Sequence, residues 1–119
     1  MEKQTDNPIA RLSFQFALDI IEFTEELSGK NKFVIANQLL KSGTSIGANV
    51  REAQNSESKA DFIHKMKIAI KEAEETEYWL SLCKYAPNYP TNEILLEKVI
   101  VLEKILNKII SSAKKNHSH

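Results

Sequence analysis

Asp61 and His64 invite the first chemical reading, because a carboxylate-x-x-His pair places both side chains on one helix face, as bundle metal sites require. A di-iron centre of that kind needs two such pairs and further inward carboxylates. The other histidines, His117 and His119, fall in the terminal SSAKKNHSH run, where no ordered shell is expected around a metal. Neither a metal nor another cofactor is expected. Ser42 and Ser45 have no histidine on their own face, and the chain has no G-x-S-x-G elbow or phosphate-cradling glycine loop. Cys83 continues an apolar seam, so it reads as a small core side chain rather than a nucleophile. An enzyme is not expected.

Basic side chains offer a different chemistry. Lys41 and Arg51 flank a run of small polar residues, and Lys59, Lys65, Lys67 and Lys71 extend a basic region into the next segment, forming a candidate nucleic-acid patch. Phosphate neutralisation supplies such affinity, yet 16 basic and 16 acidic residues leave the 119-residue chain with a formal charge of zero. Strong nonspecific binding by a lone chain is therefore not expected. A modest patch repeated around an oligomer would gain from several tethered contacts. Glu72, Glu74, Glu75 and Glu77 follow the lysines, an order opposed to the helix macrodipole. Such an order implies charges that serve neighbouring helices, other subunits or a ligand; a solvated face is the other reading.

The stretch KSGTSIGANVRE, from Lys41 to Glu52, is dense in small and polar residues. Ser42, Ser45, Asn49 and Glu52 recur at threes and fours, so in a helix they make a polar ladder beside an apolar stripe of Gly43, Ile46, Val50 and Ala53. Two glycines and several Ser, Thr and Asn residues oppose a helix by several tenths of a kcal/mol or more each. Two readings stay open. Ser-Gly-Thr-Ser is ordinary turn composition, which would break the helix near Gly43. Alternatively the helix is continuous, its small residues admit another backbone, and Ser45 and Asn49 hydrogen-bond across a helix interface.

Lys41-Ser42, Ser45-Ile46, Asn49-Val50 and Glu52-Ala53, with Asp61-Phe62, Ala69, Glu72, Glu75 and Leu80 after them, resemble the four-helix bundle protein family, also called the intervening-sequence or S23 family. Some members are encoded inside insertions within bacterial large-subunit ribosomal RNA genes. The similarity runs from about Leu12 to Ala113, and its most specific part is S-x-x-S-I-x-x-N-x-x-E. Gln54 departs from the family's common Gly, and Lys41 from its common Arg, which weakens a fork-shaped phosphate contact there. The resemblance implies a homopentamer, since members form five-subunit rings, and a bacterial cytoplasmic location. It also implies RNA or a ribonucleoprotein as a partner, by analogy with related accessory proteins of retroelements. An adaptor that grips only protein is the alternative. Ser42, Ser45, Ile46, Asn49, Glu52, Glu72 and Glu75 are the expected interface, with the two glutamates paired to basic groups across it.

The elements that must position these residues follow from periodicity. Asp6 or Asn7 caps a first helix with Pro8 at its first position, and Ile9, Leu12, Phe16, Ile20, Phe23 and Leu27 make its seam, with Phe14, Leu18 and Ile21 as a second apolar row. Gly29 marks its end. The second helix carries Phe33, Ala36, Leu39 and Leu40; the third, capped by Ser58, carries Phe62, Met66, Ala69, Ala73, Leu80 and Cys83, interrupted at Thr76. Pro87 and Pro90 force a turn, Thr91 caps the fourth, and Leu95, Val99, Leu102, Leu106 and Ile109 form its seam. Helices over about 8–28, 32–54, 59–86 and 91–113, with a fraying polar tail at 114–119, predict an all-α, up-down-up-down antiparallel four-helix bundle in a single domain. The polar N-terminus does not read as a signal peptide, no run approaches the length of a membrane span, and the single Cys83 fits a reducing compartment. Surplus apolar surface on the first and fourth helices points to self-association.

Overall fold

A computed structural model of the chain describes residues 7–117, which form α1 (Pro8–Gly29), α2 (Phe33–Gln54), α3 (Lys59–Tyr85) and α4 (Glu93–His117). Asp6, Ser118 and His119 lie outside the described residues. Each helix packs against its neighbours in sequence, α4 returns to α1 along a sparser seam, and α2 does not meet α4. The 22 residues of α1 run about 33 Å. Its short link to α2 cannot return the chain to the starting end, so packed sequential neighbours must alternate in direction.

Local signals set the boundaries. Asn7 caps α1, its Oδ1 accepting from the Ala10 amide at 3.4 Å with Pro8 at the first helical position. The Ser58 hydroxyl accepts from the Asp61 amide at 3.0 Å at the start of α3. Before α4 the cap is Asn92 rather than Thr91, its Oδ1 accepting from the Leu95 amide at 3.0 Å. The left-handed residue after α1 is Asn31 (φ 64°), not Gly29, which stays helical; asparagine tolerates that region through its short polar side chain. Helix α4 runs on to His117 instead of fraying at 114, because Ala113, Lys114 and Lys115 are good helix formers and each added residue closes another bond.

The core follows the expected seams, with corrections that share a cause. Ser13 is buried and Leu12 remains 39% exposed. Gly47 lets α2 approach so closely that a Cβ there would stand 3.3 Å from the Ser13 carbonyl oxygen, and α1 turns its small residue to that contact. Leu12 then falls on the sparser α4 side, lining a cavity of about 330 Å³ with Phe16, Ile94, Val101 and Leu102. Phe33 is 54% exposed at the start of α2, and Ile110 rather than Ile109 is fully inside α4. Thr76 does not interrupt the α3 seam: it is buried.

Gly43 sets the tightest helix approach, since a Cβ there would lie 2.8 Å from both Cγ atoms of the fully buried Ile20. Ile20 branches at Cβ and cannot swing clear. Gly43→Ala is therefore expected to destabilise the fold by about 1–2 kcal/mol despite better helix propensity. Gly29→Ala, with nothing within 4 Å of the new methyl, should stabilise by about 0.5–1 kcal/mol. Urea midpoints of the two variants check this opposition of sign.

Candidate interaction faces

Helix α2 is continuous through Gly43, and the reason lies in where its polar groups turn. The Thr44 hydroxyl donates to the Leu40 carbonyl at 2.7 Å, the Ser45 hydroxyl to the Lys41 carbonyl at 2.6 Å, and the Asn49 amide to the Ser45 carbonyl at 2.9 Å. These residues thus bond their own helix from half-buried positions; Ser45 and Asn49 make no cross-helix bond within the protomer. Ser42 makes that bond instead. Its Oγ lies 2.9 Å from Thr76 Oγ1, which is also 2.8 Å from the Glu72 carbonyl, and both side chains are buried. With one proton per hydroxyl, Thr76 donates to the carbonyl and accepts from Ser42, which satisfies both.

The rest of the motif gathers along the α2–α3 seam. Ile46 is core. Glu52 accepts from the Lys65 ammonium at 2.9 Å, a pair that holds the Lys65 pKa above its ordinary value, chiefly through that hydrogen bond. Glu75 accepts from the Trp79 indole at 3.3 Å. Burial, with Glu75 beside it, raises the Glu72 pKa, while Lys71 and Lys41 pull it down. Ser42, Ile46 and Glu52 are thus engaged inside the protomer, while Ser45, Asn49, Glu72 and Glu75 stay half-exposed.

The basic residues do not all share one face. At about 100° per residue Lys59, Lys67 and Lys71 fall within about one third of the α3 circumference, while Lys65 lies apart and turns to Glu52. Lys41, Lys59, Lys67 and Lys71 are exposed, and exposed Arg51 lines a shallow depression between α1 and α2. His64 is exposed too, and among the described residues no three His, Cys, Asp or Glu side chains are grouped to hold a metal. Cys83 is 1% exposed, and burial raises its thiol pKa. No described helix is long and apolar enough to cross a membrane.

Two features escape the motif. Outside the α1–α2 seam, Phe14, Ala17, Thr44, Gly47, Ala48 and Arg51 line one depression that is mostly apolar, and Ile21, Ala36 and Leu40 line another that is mixed, with Thr24, Glu25, Ser28 and Asn37 beside them. The α1 half of this surface includes Phe14 and Ile21 of the second apolar row, and its α2 half, Leu40 apart, consists of residues too small or too polar to leave a hydrophobic signal. The other is Glu103 on α4, whose Oε2 is buried without a hydrogen-bond donor. Burial, with Glu77 and then Glu74 beside it, raises its carboxyl pKa to about 8. A single glutamate among apolar residues carries no mark in the sequence of what α3 sets opposite.

A family model described as the 23S rRNA-intervening sequence protein matches residues 5–110. The chain belongs to this family. A crystal structure from the S23 ribosomal protein family of Bacteroides thetaiotaomicron VPI-5482, of unknown function, is 43% identical with a TM-score of 0.82, covering 86% of this chain and 97% of that one. No curated protein matches. In this intervening-sequence protein the motif serine and threonine at the α2–α3 seam are coupled. Ser42→Ala and Thr76→Val should each cost about 1–2 kcal/mol by stranding a buried partner, and the double variant less than the sum by about 0.5–1.5 kcal/mol. Denaturant unfolding of the four proteins measures that difference.

Proposed function

We propose that this intervening-sequence protein is a non-enzymatic, self-associating helical scaffold, a homopentamer that engages RNA or a ribonucleoprotein. The observation that carries the self-association is the α1–α2 outer surface: Ile21 and Leu40 remain well exposed in one depression and Gly47 and Ala48 line another, although the core of the protomer closes without them. Small residues flanked by larger apolar ones let a second helix approach closely. A specific interface needs roughly 800 Å² per partner, which a surface running along two 22-residue helices can supply. The number five comes from the family resemblance, and the cytoplasmic location rests on the same ground.

The RNA arm is supported by the family's description and by the exposed Lys59, Lys67, Lys71 and Arg51. Lys65 contributes less, because Glu52 already neutralises it. With a formal charge of zero, each protomer brings few phosphate contacts, so assembly would multiply a weak patch. A protein-only adaptor is the competing reading, favoured by the apolar character of the depression that Gly47 and Ala48 line.

Native mass spectrometry at micromolar concentration should give a pentamer mass. Ala48→Glu, a charge on an exposed helical position of that surface, should shift it to monomer with helicity kept, whereas exposed Lys104→Ala should not. A wild-type monomer would overturn the scaffold reading. Reversing Lys59, Lys67 and Lys71 together should weaken RNA retention at least about tenfold at low salt, and rising salt should weaken the wild-type complex steeply. Retention unchanged by either treatment would favour the protein-only adaptor.

A further inference from the structure

Glu103 occupies the flank of α4 that faces α3, three residues after the partly buried Ile100 and four before Asn107, whose amide donates to the Glu103 backbone carbonyl at 2.9 Å. One of its carboxyl oxygens, Oε2, is buried and meets no donor. The charged groups that act on it from α3 are Glu77 and Glu74, both acidic and three residues apart on one face. Helix α1 packs against the other flank of α4, where its Asp19 already accepts from Lys98 at 2.9 Å, and α2 does not reach α4. Among the described residues, the charged groups that act on Glu103 are carboxylates and not cations.

A buried carboxylate oxygen without a donor is costly, and two ionised carboxylates side by side are costlier. Protonation relieves both at once, because a neutral carboxylic acid is itself a donor and Glu77 is its acceptor. We propose that Glu103 and Glu77 hold one proton between them as a latch on the α3–α4 seam, closed while the proton is shared and loosened when bulk base removes it and both carboxylates ionise.

The direction of the pH dependence follows. The folded-state pKa of Glu103, about 8, stands above its ordinary value of 4.5, so between those values the folded protein keeps a proton that the unfolded chain has released. The latch's stabilisation is fully present below about pH 4.5, fades as pH rises and is gone above about 8, where the folded protein also gives up the proton. The device is independent of RNA and of the α1–α2 outer surface, since it sits on the opposite pair of helices.

Carboxyl ¹³C NMR titration of the full chain tests it directly. One glutamate should titrate with a midpoint several pH units above the rest; Glu103→Gln should abolish that titration, and Glu77→Gln should return it towards the ordinary range. The wild-type melting temperature should fall between pH 5 and 9 by about 5 °C more than that of Glu103→Gln. A wild-type spectrum in which every glutamate titrates together below about pH 6 overturns the latch, and so do parallel melting curves. If Glu103→Gln does not fold, the wild-type and Glu77→Gln titrations decide alone.

Discussion

The bundle depends on how closely α1 and α2 approach. At Gly43 the absent side chain is replaced by Ile20, fully buried and branched at Cβ, and at Gly47 the α1 backbone itself fills the place of a methyl group. Close packing at native density lets dispersion and apolar burial offset what two mid-helix glycines forfeit in propensity. The approach also sets the rotation of α1. With Ser13 turned to α2, Leu12 faces the α4 side and lines the cavity there. Two small residues thereby decide which side of a symmetric-looking bundle is dense and which is loose.

The same constraint explains the polar residues of α2. A helix pressed against α1 on one side and α3 on the other has little room for long polar groups, so its hydroxyls and amide return to carbonyls of the preceding turn. Buried Ser42 reaches across, because Thr76 stands opposite, already bonded to its own helix and left with an acceptor to spare. That pair is specific in a way that an alanine–valine contact is not: a register slip would cost the buried Ser42 hydroxyl its partner across the seam. The intervening-sequence motif reads, at this seam, as the pattern of a particular helix register before it reads as a binding motif.

Helix existence and order were legible because the apolar period runs through all four segments without a phase break, and α1 and α3 announced their starts through Asn7-Pro8 and Ser58. Rotation about each helix axis was not. Leu12 and Ser13 differ by one position, and the choice between them lies in a glycine some thirty residues later. Thr76 looked like an interruption because its partner sits on another helix. The charges divide in the same way: Lys65 turns to Glu52 on α2 and Glu77 meets Glu103 on α4, whereas Lys59, Lys67, Lys71 and Glu74 lie on an exposed face, which was the other reading. Which lysines would share a face required the helix to be placed among its neighbours, and they proved to share less than a linear reading of the basic run implies.

Charge neutrality then constrains how such a protein could work. Surface ion pairs such as Lys65–Glu52 and Lys98–Asp19 contribute little stability, with a median of about 0–1 kcal/mol, yet each removes a cation from those open to a phosphate. Because acidic residues equal basic ones in number, a lone protomer has little net attraction for a phosphate backbone. Repetition changes that balance, because tethered patches add their contacts while the loss of translational freedom is met once. On the proposed reading, nucleic-acid affinity would follow from assembly, and assembly from the α1–α2 face that carries Gly47 and Ala48.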